Sequence, residues 1–171
     1  MGLLDRLKAK TRGILTEAKP AKGVAPAPEA EVRARLRAIS GPGIETSEQG
    51  RDVYVSWSAK VASAGVGGAD YEYLYRAIRV ALKPEDQVAT GICLKQTTEA
   101  ELDASGLAAA KGWEQGQHVG SEKVRVLAWL GPHQVEGGAT EQGYTFSWSD
   151  LRDPVIAAVT GAGWTYKPKT I

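Results

Sequence analysis

The sequence predicts an α+β domain. It has a twisted antiparallel sheet of about five or six strands with helices on one face, and a separate amphipathic helix at the N-terminus. Three observations carry this. Apolar residues alternate at period two in several segments after Ile44. Turns rich in Pro and Gly separate those segments. Residues 1–18 follow the helical period instead. The boundaries expected are 1–18 for the basic amphipathic helix, 19–28 for a Pro/Ala linker and 29–171 for the domain.

On a helical wheel, Leu3, Leu4, Leu7, Thr11, Ile14, Leu15 and Ala18 share an arc of about 120°. Arg6 and Lys10 edge it on one side, Lys8 and Arg12 on the other. An apolar stripe with cationic edges suits an anionic membrane surface or the groove of a partner protein. The expected membrane- or partner-binding residues are therefore Leu3, Leu4, Arg6, Leu7, Lys8, Lys10, Arg12, Ile14 and Leu15. Met1-Gly2 opens a myristoylation pattern, but Arg6 stands where that pattern wants Ser or Thr. In 19–28, Pro20, Pro26 and Pro28 forbid a continuous helix and favour extended chain.

Residues 29–40 read as a second helix. Pro28 suits its start, Glu29 and Glu31 suit its dipole, and Gly41-Pro42 end it. Val32, Leu36 and Ile39 form its narrow apolar stripe. Val53, Val55, Trp57, Ala59 and Val61 then alternate with polar residues as a half-buried strand. Residues 71–82 fit either a helix face or a strand, and the strand is preferred. Lys83-Pro84-Glu85-Asp86 makes a turn, and Val88, Thr90, Ile92 and Leu94 return as its hairpin partner. Residues 97–121 carry no clear pattern, although Thr98 and Glu101 could form a capping box. Lys123–Leu130 and the segment around Tyr144, Phe146 and Trp148 read as strands. A helix is expected over Asp150–Thr160, with Pro154 in its first turn. Gly161 and Gly163 end it, and Trp164–Tyr166 add a short last strand.

Composition narrows the functional classes. The chain has 171 residues, enough for one domain with a core. Its formal net charge is +1, and the basic excess is confined to residues 1–22, so nucleic acid is not the expected partner. The single cysteine, Cys93, leaves no intrachain disulfide and fits a reducing compartment. No apolar run reaches the roughly 18 residues of a membrane span. Charges interrupt any secretory h-region. The expected location is the cytoplasm, with the chain held peripherally on the inner face of the membrane.

No metal-ligand spacing, phosphate loop or nucleophile elbow is present in the sequence, so no cofactor, metal or catalytic residue is expected. His118 and His133 are the only imidazoles. A pairing of His133 with Glu136 is conceivable, but a solvated loop histidine is preferred. Cys93 reads as a small packed residue. Tyr71, Tyr73 and Tyr75 make a ladder on one strand, which also carries Arg76 and Arg79. Trp57, Trp129, Trp148 and Trp164 fall on or beside strands, where core packing is preferred to an aromatic pocket. The possible ligand cleft comprises Tyr73, Tyr75, His118 and His133.

The tail carries Tyr144-x-Phe146, Pro154-Val155-Ile156, Thr160, Gly163-Trp164 and Pro168. It resembles the tail of a group of small bacterial proteins of unassigned function. These also carry a tryptophan-bearing strand like that at Trp57 and a hairpin like 71–95. The resemblance implies an antiparallel sheet with a C-terminal helix packed on it, and brings no activity or cofactor. The expected function is that of a non-enzymatic accessory or interaction protein. It would be tethered to an anionic membrane surface or an unidentified protein through its N-terminal helix. The alternative is a small-molecule-binding or hydrolytic domain with an aromatic-lined cleft on the sheet.

Overall fold

The computed structural model describes residues 16–62, 71–103, 106–130 and 142–169. The N-terminal helix expected over 1–18, with all its proposed contact residues, falls almost wholly outside these. Helix α1 spans Glu29–Arg37 and α2 spans Trp148–Gly161. The strands are β1 (Ile44–Gln49), β2 (Asp52–Ala62), β3 (Tyr71–Lys83), β4 (Val88–Asp103), β5 (Gly106–Gly116), β6 (Ser121–Trp129), β7 (Gln142–Ser147) and β8 (Thr165–Pro168). They form one eight-stranded sheet in the order β5-β4-β3-β2-β6-β7, with β1 also beside β2 and β8 beside β4.

The sheet is larger than the five or six strands expected. Its extra width comes from residues 97–121, where β4 runs on to Asp103 and β5 returns antiparallel from Gly106. The sequence of that region lacks apolar alternation, and its extended form stands in the ladder with β4. One pairing is not antiparallel: β8 lies parallel to Val88–Gly91 of β4. The α2 crossover makes this possible, because parallel neighbours need a long connection.

Turn chemistry sets the central hairpins. Gly50 takes the positive φ of a tight turn between Gln49 and its partner Asp52. Pro84–Gln87 join Lys83 to Val88, with the Asp86 N–H donating to the Lys83 carbonyl at 3.2 Å.

Period two then decides the faces. Val53, Val55, Trp57 and Ala59 of β2 meet Ile78 and Val80 of β3 in the main core, under Leu151, Val155 and Val159 of α2 and Val32 and Leu36 of α1. The sheet curls over this core. The register slips between Lys60 and Val61 where β2 meets β6, and such a bulge bends a strand. The curl brings Phe146 of β7 to 4.7 Å from Trp57 between ring centroids, with Trp129 and Tyr144 at 6.0 and 5.8 Å. It also brings Glu122 of β6 onto Arg76 of β3, although the two strands are not neighbours.

Helix α2 starts earlier than expected. Asp150 Oδ2 accepts from the Ser147 N–H at 2.9 Å and the Ser147 hydroxyl accepts from the Ser149 N–H at 3.4 Å, a reciprocal cap. Pro154 therefore lies in the second turn, not the first. The Asp150 carbonyl that a residue-154 N–H would have met belongs to an exposed residue, so solvent can satisfy it. Trp164 is buried and donates from Nε1 to the Ala27 carbonyl at 2.8 Å.

The Pro/Ala segment is extended and fastened to the domain. Ala18 and Tyr166 exchange both backbone hydrogen bonds, at 2.9 and 2.8 Å, and the Ala27 N–H donates to Ala162 at 2.8 Å. Gly163, at φ +75°, lets this segment pass, because a Cβ there would strike the Ala25 backbone. The chain is thus held from Ala18 onward.

Candidate ligand groove

Residues of β1–β4 that point away from the helices form a second face. Direct cross-strand partners share a face, so Tyr54 stands beside Arg79, and Ser58 beside Tyr75 and then Gln96. Described helices pack only against the core face, yet this opposite face has a sealed centre. Ala77 is 0%, Ile92 4% and Leu94 6% exposed, with Tyr54 and Tyr75 packed against them. A groove of about 550 Å³ opens beside this centre and touches it at Leu94, its other apolar lining being Leu74 and Leu130. It is walled by Tyr54, Tyr73 and Tyr75, by the amides of Gln49, Gln96 and Gln115, and by Ser58 and Thr98.

Its electrostatics are close to neutral. Among the described residues of the lining Arg79 is the one that is charged, and Asp52 stands 3.7 Å from its Nε. Beyond the rim, Lys60 Nζ lies 3.7 Å over the Tyr71 ring, whose edge meets Tyr73 at 5.4 Å. Burial raises the phenol pKa of Tyr73, helped by its hydrogen bond with Tyr71. Burial raises that of Tyr75 too. Both stay protonated near neutral pH and offer a hydroxyl that donates and accepts.

The structure divides the cleft expected from sequence. Tyr73 and Tyr75 line the groove together. His118 lies on the other side of the sheet, in a separate cavity of about 200 Å³ with Lys95, Ser121, Glu122 and Trp148. His133 falls outside the described residues. The reason for the split is that His118 follows β5 and its ring stacks on Trp148 of α2, at 5.0 Å and 23°. Burial lowers its pKa, so the imidazole is neutral at pH 7. Its Nε2 is buried with no hydrogen-bond partner among the described residues. Burial also raises the Cys93 thiol, opposed by the His118 N–H and the Arg152 charge, so Cys93 remains a packed thiol.

Two features went unread in the sequence. The groove glutamines sit on segments whose register could not be assigned, and only the β4–β5 pairing places Gln115 beside Leu94. Arg76 belongs to the core face with Leu74 and Ile78, not to the tyrosine ladder. It is 1% exposed. Its Nε and Nη2 grip Glu122 at 2.7 and 3.1 Å, and its Nη1 donates to the Tyr75 and Gln96 carbonyls at 3.0 and 2.8 Å. Its even position in the strand was the available signal.

Among the described residues, no group of three or more His, Cys, Asp or Glu side chains converges to hold a metal. No described helix is long and apolar enough to cross a membrane. No family model, curated protein or solved structure matches the chain. Function is therefore read from the geometry of this molecule.

Proposed function

We propose that the chain is a non-enzymatic binding protein that takes a ligand in the tyrosine-walled groove, on the sheet face opposite the described helices. The observation that supports this most is the combination of an apolar floor and convergent uncharged polar groups in one cavity, which is what a ligand site needs. The ionisable groups of the opposite cavity, by contrast, are neutral or paired: His118 is uncharged, and Glu122 holds Arg76. A fragment library screened by backbone-amide NMR tests the reading. Hits should perturb Tyr54, Tyr75, Gln96 and Gln115 together, and Gln96→Trp, which fills the groove, should abolish them. Hits scattered over the surface, or hits that survive the blocked groove, refute it.

The second reading concerns attachment, and the apolar stripe with cationic edges in the sequence of residues 2–15 supports it. Leu3, Leu4, Leu7, Ile14 and Leu15 enter an anionic membrane surface while Arg6, Lys8, Lys10 and Arg12 meet its headgroups. Each cation adds about 1 kcal/mol near such a surface, so attachment is reversible and weakened by salt. The helix expected over 1–18 does not extend to Ala18, whose backbone pairs with Tyr166 as extended chain. Full-length protein should co-sediment with phosphatidylserine vesicles, and the variant with all four cations changed to Glu should not. Equal sedimentation of both excludes the membrane. Salt-insensitive capture by a protein would point to groove docking instead.

A further inference from the structure

We infer that the groove receives a neutral, hydroxyl-rich chain, a short oligosaccharide laid across the strands. This rests on the groove being a ligand site and adds the chemistry of its occupant. The first argument is functional-group matching. Gln49, Gln96 and Gln115 present amides, and Ser58, Tyr73 and Thr98 present hydroxyls. Amides and hydroxyls both donate and accept, as each sugar hydroxyl does, although the Ser58 hydroxyl donates to the Leu130 carbonyl at 3.0 Å and is left as an acceptor. A site built to pair such groups strongly rejects ligands that leave them unpaired.

The second argument is charge. Among the described lining residues the one charge is that of Arg79, and Asp52 opposes it at 3.7 Å. An ionised ligand would lose its hydration and meet, among the described lining residues, only a charge that Asp52 already faces. A nucleic-acid strand would find no row of cations among the described lining residues for its phosphates. The third argument is the floor. Tyr54 and Tyr75 lean on Ile92 and Leu94 while also bordering the groove, so their rings offer apolar surface to the C–H face of a pyranose.

The fourth argument is extent. The lining runs from Gln49 of β1 to Gln115 of β5. That path crosses four inter-strand steps, roughly 19 Å along the sheet at the usual strand spacing, more than one sugar ring needs. A peptide strand is disfavoured because its backbone seeks an open sheet edge. On this face β2, β3 and β4 each have neighbours on both sides, so their backbone groups are engaged in ladders.

The experiment titrates the full chain with neutral hexasaccharides (cellohexaose, maltohexaose, laminarihexaose and xylohexaose) and follows backbone amides by NMR. Hexagalacturonate and hexaalanine serve as the acidic and peptide probes. At least one neutral sugar should shift the amides of Tyr75, Gln96 and Gln115 at millimolar concentration or below. Tyr75→Ala should weaken that binding about tenfold while Tyr75→Phe, which keeps the ring, changes it by no more than about threefold. Should Tyr75→Ala fail to fold, Gln96→Ala decides, with a loss of about fivefold expected for one hydrogen bond. Silence of all neutral sugars, or binding that ignores both substitutions, overturns the inference. If hexagalacturonate or hexaalanine shifts the same amides instead, the sugar assignment falls and the groove reading stands. If no probe and no library fragment moves them, both fall.

Discussion

Replacing Glu122 by Gln tests the contact that closes the curl. Arg76 is 1% exposed and its guanidinium makes two bonds to the carboxylate, at 2.7 and 3.1 Å. Removing one partner of a fully buried pair costs about 3–5 kcal/mol, because the other charge is left without compensation. The Glu122 side chain is 36% exposed, so water reaches the pair and screens it. The expected cost of Glu122→Gln is accordingly lower, about 2–3 kcal/mol, since Arg76 keeps its bonds to the Tyr75 and Gln96 carbonyls. Arg76→Met should cost less, about 1–2 kcal/mol, because the freed carboxylate is solvated and an apolar chain fills the same volume. The double variant should be no worse than Arg76→Met alone. Urea unfolding followed by tryptophan fluorescence measures all three. A larger loss for Arg76→Met than for Glu122→Gln, or additive losses, would refute the claim that an uncompensated buried cation dominates.

Three further outcomes follow from the same geometry. Trp164→Ala should lose about 3–5 kcal/mol of stability in urea, because the ring is 1% exposed and its removal leaves a cavity. Trp164→Phe should lose less and should specifically loosen the Ala27 contact, read as faster amide exchange at Ala27, whose N–H is bonded to Ala162. Cys93 is 2% exposed with its thiol pKa raised by burial, so it should react with a thiol reagent only after unfolding, and rapid labelling of the native chain would contradict its placement. The folded-state pKa of His118 is lowered from 6.5, so the unfolded chain binds the proton first on acidification. Its contribution is complete above the unfolded value of about 6.5 and is lost as pH falls through the folded pKa. Changing His118 to Gln should flatten that part of the stability–pH curve, and an unchanged slope would refute the assignment.

Legibility in the sequence followed contrast between neighbours. Val53, Val55 and Trp57 alternate with Tyr54, Ser56 and Ser58, and β2 is where that alternation stands. The tyrosines at 71, 73 and 75 were readable as one face for the same reason, and two of them wall the groove. In 97–121 the contrast is missing. A ladder with β4 holds Gly106–Gly116 extended, and pairing between distant residues leaves no local pattern to read. The parallel seat of β8 depends on where α2 delivers the chain. Gly91 is packed against Tyr166 so closely that any Cβ would clash with the ring, a fit visible only once both strands are placed. His118 could not be assigned a side because its position depends on the curl, which begins at the bulge beyond Lys60.

That curl also explains why the described helices all lie on one face of the sheet. Covering the core face takes α1, α2 and the returning β6–β7 ladder, whose Phe146 and Tyr144 meet Trp57. Nothing among the described helices is left for the opposite face. A bare sheet centre of Ala77, Ile92 and Leu94 would ordinarily invite association with another copy. Here Tyr54 and Tyr75 pack over that centre and polar side chains surround it, so the apolar surface is divided into a groove with hydrogen-bonding walls. Exchanging Gln96 and Thr98 for Leu would undo that division by joining the floor to its rim. The expected result is self-association at concentrations where the parent chain is monomeric, seen by analytical ultracentrifugation, and a variant that stays monomeric would show that the polar walls serve no such purpose.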